Sequence, residues 1–109
     1  MQKGIVQDHH FDEDNRPAGG YARGVGINIQ WQNGPLVHHG RPHAPNGALV
    51  EDVIAAVIGR IEFYQRSRSH CIENAVALGH LRAAVEVLEE RTRARADRGV
   101  EVAVGIERQ

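Results

Sequence analysis

An excess of charge of one sign is missing from this chain. Lys and Arg number 13 against 14 Asp and Glu, for a formal net charge of −1. Without polyelectrolyte character, general nucleic-acid coating is not expected. Cysteine is nearly absent too. The single Cys71 excludes an internal disulfide and fits a reducing cytosol. No apolar run reaches the ~18 residues that a membrane span needs. Residues 1–16 are polar and hold no signal-peptide apolar region. A small soluble cytoplasmic protein is the expectation. At 109 residues there is room for one small domain and no second independent core.

Hydrophobic residues make up 41% and charged residues 25%, ordinary values that argue against wholesale disorder. Most of the Gly and Pro lie before residue 48. Residues 1–22 read as a flexible N-terminal arm. They carry Asp8, Asp12, Glu13, Asp14, a His9-His10 pair and Pro17-Ala18-Gly19-Gly20, and only Ile5, Val6 and Phe11 are worth burying. Such a segment does not offset its own ordering entropy. Residues 23–109 read as a single domain. Val25, Ile27, Ile29 and Trp31 alternate with Gly26, Asn28, Gln30 and Gln32, the period of a half-buried strand over 23–32. Asn33-Gly34 signals a turn, and 33–46 reads as a loop holding His38, His39, Arg41 and His43.

Helical spacing then takes over. Val50, Val53, Ile54, Val57, Ile58, Ile61 and Tyr64 predict a helix over about 47–66, with Asn46 as N-cap and Glu51 and Asp52 near its positive end. Ser69 is a candidate N-cap for a second helix over about 70–98, roughly 43 Å at ~1.5 Å per residue. Leu78, Leu81, Val85, Leu88 and Thr92 step 3-4-3-4 along it, a coiled-coil seam. Arg91, Arg93, Arg95 and Arg98 complement the dipole at its end, with Gly99 as the residue beyond. Val100, Val102, Val104 and Ile106 alternate, so the tail either forms a strand or frays. The fold class is α+β: a small β element followed by a long antiparallel two-helix hairpin. The first helix adds Ala48, Ala55, Ala56 and Phe63 outside its main apolar stripe. A two-helix hairpin does not bury all of that, so an oligomer is expected.

Few residues are arranged for catalysis. His9-His10 lie in the arm, and the loop histidines have no Cys or carboxylate at ligand spacing, so solvated surface His is the simpler account. Cys71 has His70 adjacent and His80 nine residues on, neither of which a helix brings to face it. Gly20 to Gly26 is rich in Gly but precedes a strand, unlike a dinucleotide-binding turn. Without a nucleophile–base pair or a metal set, no enzyme and no cofactor are expected. The Arg cluster is richer: Arg91 and Arg95 are four apart and can clamp one anion, against the plain alternative of dipole complementation. Asn74 continues the inward face of the second helix, either as a buried polar register residue or as a reader of a purine edge or ribose hydroxyl. Tyr64 ends the first helix beside the same turn, either as core or as a stacking platform for a base.

Five strings in order carry a resemblance. They are Trp31-Gln32-Asn33-Gly34-Pro35-Leu36, residues 45–54 (Pro45-Asn46-Gly47-Ala48 onward), Arg60-Ile61-Glu62-Phe63-Tyr64-Gln65, Cys71-Ile72-Glu73-Asn74-Ala75 and Leu88-Glu89-Glu90-Arg91-Thr92. Over about residues 23–100 the chain resembles phage proteins of the first Thoeris anti-defence family, which share a helical-hairpin domain with an anti-CBASS sponge family. The resemblance implies a protein of the host bacterial cytoplasm that holds a cyclic ADP-ribose isomer made by host TIR proteins without cleaving it. It also implies a homodimer or a hexamer built as a trimer of dimers, and in some members separate sites for cyclic trinucleotides. By motif position, the family's ligand-contacting aromatic, Asn and two Arg fall on Tyr64, Asn74, Arg91 and Arg95, with Phe63 the adjacent aromatic. The tail at 100–104 departs from the family's short polar ending. Spacing adds that Asn74 and Arg91 lie about 25 Å apart along one helix. One small ligand touching both must take the Arg pair from an antiparallel partner, giving two equivalent pockets per dimer. The alternatives are a sponge for cyclic di- or trinucleotides of CBASS, and a structural oligomerisation hairpin. An RNA- or DNA-binding hairpin is disfavoured by the near-zero net charge.

Overall fold

The computed structural model describes residues 4–108, with the side chains of His38 and of 95–108 outside the described residues. The chain divides into two compact units, residues 1–49 and 50–109.

In the first unit, local turn chemistry makes strands where an arm was expected. β1 (Val6–Phe11) pairs antiparallel with β2 (Pro17–Gly24), Val6 opposite Arg23 and His9 opposite Gly20. Asp12 makes the turn: its Oδ1 accepts the Asp14 N–H at 2.8 Å and the Arg16 N–H at 2.9 Å, while Asn15 takes a left-handed φ of 62°. Asp and Asn do this because a short polar side chain substitutes for backbone partners and tolerates positive φ. All six residues of β1 are exposed, so the strand is held by its backbone ladder and not by a core.

The expected strand over 23–32 is also split. β2 ends at Gly24, β3 spans Ile27–Gln30, and Val25-Gly26 turns the chain between them, with Gly26 at φ +78°. Val25 is therefore 93% exposed and does not share a buried face with Ile27 and Ile29. A period-two pattern runs through a two-residue turn without a break, which is why alternation alone misses the hairpin. The sheet order is β1-β2-β3.

Carboxamides tie the following loop back on itself. The Gln32 Oε1 accepts the Asn46 N–H at 2.9 Å and the Gly47 N–H at 3.2 Å. Asn46 pairs with Asn33 in both directions, accepting its N–H and donating to its C=O at 2.8 Å each. Asn46 is thus a loop fastener and not the N-cap of the first helix. Between these ties, β4 (Val37–His38) and β5 (Arg41–Pro42) form a small hairpin through His39-Gly40, both at positive φ. Ala48 bridges Trp31 in parallel. Gly47 must be glycine there, since a Cβ would lie 2.5 Å from the Trp31 carbonyl oxygen.

The second unit is the helical hairpin. α1 spans Val50–Gln65 and α2 spans Ile72–Arg108. Glu51 meets Thr92, Glu62 meets Arg82 and Gln65 meets Asn74, the steps of two antiparallel helices in register. The seam from Leu78 to Thr92 lies inward, with Leu78 buried and Leu81, Val85, Leu88 and Thr92 half-buried. α2 runs on through Gly99, so the tail, expected as a strand or a frayed end, is helix, and the expected helix stop at Gly99 is not found. A helix satisfies its backbone locally, whereas a strand needs a partner, so the alternation of valines does not by itself decide for a strand.

The core is thin throughout. Ala22 and Leu78 are the buried hydrophobic residues among those described. Val50, Val57, Phe63, Ile72, Val76 and Val87 on the hairpin are 43–79% exposed.

Candidate ligand-binding site

The four sequence-predicted site residues fall at opposite ends of the hairpin. Tyr64 is on the last turn of α1, with its ring 6.3 Å from that of Phe63, and the Arg60 guanidinium lies 5.0 Å from the Phe63 ring and 5.2 Å from the Tyr64 ring. Both rings are open to solvent, Phe63 at 48% and Tyr64 at 36%. Of the two, Tyr64 stands nearer the helix connection, and Phe63 extends the same aromatic surface toward Arg60. Sequence reasoning did not single out Arg60, although its i, i+3 and i, i+4 spacing to the two aromatics marks it.

Asn74 sits in the first turn of α2, close to the end of α1. Cys71 occupies the N-cap position, its Sγ accepting the Asn74 N–H at 3.4 Å. Ser69 was expected there; instead its carbonyl accepts Asn74 Nδ2 at 3.0 Å. Ser67 closes the connection by donating its hydroxyl to the Tyr64 carbonyl at 2.6 Å and accepting the Ser69 N–H at 3.0 Å. Gln65 joins the two helices across this connection through Cys71 and Asn74. Tyr64 and Asn74 are therefore brought to one end of the hairpin by the serine-rich turn.

Arg91 is at the other end. It lies 17 positions along α2 from Asn74, about 25 Å at ~1.5 Å per residue. Its side chain is exposed and has no ion-pair partner among the described residues. Beside it, the Thr92 hydroxyl lies 2.8 Å from the Glu51 carboxylate and 3.0 Å from the Leu88 carbonyl, sharing one hydrogen between them. Glu51 is buried, at 9% exposure, and this contact fixes the first turn of α1 against α2. The Arg95 side chain lies outside the described residues. Arg93 leans toward Glu89 at 3.9 Å, an exposed pair within one helix. Within one chain the structure does not bring Arg91 to Tyr64 and Asn74.

The described histidines and Cys71 form no competing centre. Among the described residues, no three His, Cys, Asp or Glu are grouped to hold a metal ion. His10 contacts Asp8 at 3.1 Å on the exposed face of β1. A separate open cleft in the first unit is lined by Gln32, Asn33, Pro35, His43 and Asn46 among others, and none of the four predicted residues borders it. No helix among the described residues is long and apolar enough to cross a membrane.

Fold and site together define an α+β protein with a helical hairpin that presents an aromatic–amide end and a cationic end. No family model matches the chain. Among curated proteins it is 42% identical over 73 residues to Thoeris anti-defense 1 of Bacillus phage SBSphiJ7. The match takes in 67% of this chain, which spans about half (49%) of that relative's length. This identity supports membership of the chain in the Thoeris anti-defense 1 family.

Proposed function

We propose that this protein is a phage anti-defence sponge: it binds a cyclic ADP-ribose-type immune signal made by host TIR proteins and sequesters it uncleaved. The anti-Thoeris role rests on the identity to the phage relative. The binding mode rests on one observation, the separation of Asn74 from Arg91 along a single helix whose apolar surface is left open. A ligand of nucleotide size does not span about 25 Å. A second copy running antiparallel brings its Arg91 and Arg95 to the Tyr64–Asn74 end, and the two-fold axis makes two equal pockets. In each, Tyr64 stacks on the adenine, Asn74 hydrogen-bonds a polar edge, and the partner's Arg91 and Arg95 neutralise the pyrophosphate. The open valines and Ile72 supply the surface that such a dimer covers. The protein acts in the cytoplasm of the host bacterium, where the signal is made.

The test mixes two variants. Sedimentation of the wild-type chain gives an oligomer larger than its 12.0 kDa monomer. Arg91→Ala and Asn74→Ala each weaken every site by roughly ten- to a hundredfold, the usual cost of a lost charge-assisted contact. In a mixed dimer one pocket collects both lesions and the other has none. Subunit exchange therefore restores about one tight site per mixed dimer, read by titration with a cyclic ADP-ribose isomer. Mass analysis of the ligand after heat release gives the unchanged mass. If mixed dimers form and no tight site returns, the cross-chain pocket is wrong and Arg91 is a helix-end cation only.

A further inference from the structure

Two side-chain amides interlock at the helix connection, and the lock leaves Asn74 a single free function. Gln65 pairs with the Cys71 peptide in both directions. Its Nε2 donates to the Cys71 carbonyl at 3.0 Å, and its Oε1 accepts the Cys71 N–H at 3.0 Å. That pairing decides which end of the Gln65 amide is oxygen. The same Oε1 accepts Asn74 Nδ2 at 2.9 Å, and the second Nδ2 hydrogen goes to the Ser69 carbonyl at 3.0 Å. A carbonyl only accepts. Turning the Asn74 amide over would set its oxygen against two acceptors, so the orientation is fixed by chemistry. Both donors of Asn74 are thus used inside the chain. Its Oδ1 accepts no hydrogen bond among the described residues and is not among the buried polar atoms that lack a partner.

We infer that Gln65 is a positioning residue that holds Asn74 as a hydrogen-bond acceptor, so that the site selects ligands presenting a donor there, an exocyclic amine or a sugar hydroxyl. The inference rests on the ligand-contacting role proposed above for Asn74 and adds the polarity of that contact. An analogue with an oxo group in place of the amine sets acceptor against acceptor. An analogue lacking the hydroxyl leaves Oδ1 unpaired in a closed pocket. Either loss is felt because the amide is not free to reverse and offer a donor instead.

The experiment uses the full chain, with a cyclic ADP-ribose isomer, its 6-oxo (hypoxanthine) counterpart and its deoxyribose counterpart as probes. The wild type prefers the parent ligand by ~10-fold over one counterpart, the value of one hydrogen bond at the upper end of the usual range. Which counterpart is disfavoured tells amine from hydroxyl. The Asn74 side-chain NH2, followed by nitrogen-15 NMR, exchanges slowly with solvent before any ligand is added. Gln65→Met keeps the volume, drops the lock, collapses the preference to within about threefold and speeds that exchange. Gln65→Glu keeps an acceptor for Asn74 and retains the preference, which a merely structural role would not require. Equal affinity of the wild type for all three probes overturns the inference, and so does a full preference surviving in Gln65→Met. Fast exchange of the wild-type NH2 overturns it with no variant needed. If the wild type binds none of the probes while the NH2 stays protected, the sponge reading has failed, and the acceptor role falls with it although the lock stands.

Discussion

The two units are built by different means. Residues 4–49 are held by backbone ladders, an Asx turn at Asp12 and reciprocal carboxamides at Gln32, Asn33 and Asn46. Residues 50–108 hold two helices that satisfy their own backbones and meet along a seam of half-buried aliphatics. A directional network is intolerant of a displaced backbone, because each bond depends on position and angle. A seam of aliphatic side chains is non-directional and yields by repacking. The candidate site lies wholly on the second kind of scaffold. The directional style returns at the helix connection, through Gln65, Ser67 and Asn74, and beside Arg91, where Thr92 meets Glu51.

The sharpest way to break this contrast is Gly20→Ala. Gly20 sits inside β2 at φ +123°, and a Cβ there would overlap the Asp8 carbonyl oxygen. Backbone strain and overlap together cost ~3 kcal/mol. Trp31 is the one tryptophan and belongs to the first unit, so its fluorescence reports that unit. The Trp31 transition moves to lower denaturant, while the 222 nm helical transition stays in place. A common shift of both signals would mean that the units unfold as one.

Leu78→Ala does the converse. Leu78 is 6% exposed and has half-buried neighbours that can close in, so ~2 kcal/mol is lost, at the lower end for a core leucine. Here the helical signal moves and the Trp31 signal does not. Thr92→Val is milder, at ~1–2 kcal/mol. It keeps the shape but takes the hydroxyl from the buried Glu51 carboxylate, and thermal melting at 222 nm reads the loss. Arg82→Ala is the smallest change. The Arg82–Glu62 pair is short, at 2.8 Å, but both side chains are about half exposed, so less than ~0.5 kcal/mol is expected. A larger shift for Arg82 than for Thr92 would reverse the view that the hairpin is held from its inner face.

Sequence legibility follows the same divide. The helices were legible because a 3.6-residue apolar period is a local, repeated signal, and the Leu78 to Thr92 spacing marked the inward face of the second. The strands were not. Charge and low apolarity in 1–22 pointed to an arm, although Asp12 to Pro17 carries turn chemistry that favours a hairpin. Alternation at Val25 to Trp31 concealed the turn at Val25-Gly26. In the site, residue types named Tyr64, Asn74, Arg91 and Arg95, and helical spacing alone set Asn74 far from Arg91. Spacing did not give Gln65 its part, because nine positions separate it from Asn74 and only the bend between the helices brings them to 2.9 Å.

By itself the sequence determined the α+β class, the helical hairpin, the inward seam and the distance between the two halves of the candidate site. Each of these follows from short-range periodicity and a fixed rise per residue. Tertiary structure decided that residues 6–24 pair as strands, that Asn46 fastens a loop and does not cap a helix, that the tail continues as helix, and that the Asn74 amide faces Gln65 and Ser69. The loop tie of Asn46 and the facing of the Asn74 amide depend on which groups separated in sequence come within hydrogen-bond reach, and the pairing of 6–24 on the turn that Asp12 closes. Hydrogen bonds act over about 3 Å, so composition and period carry no record of their partners until the chain has folded.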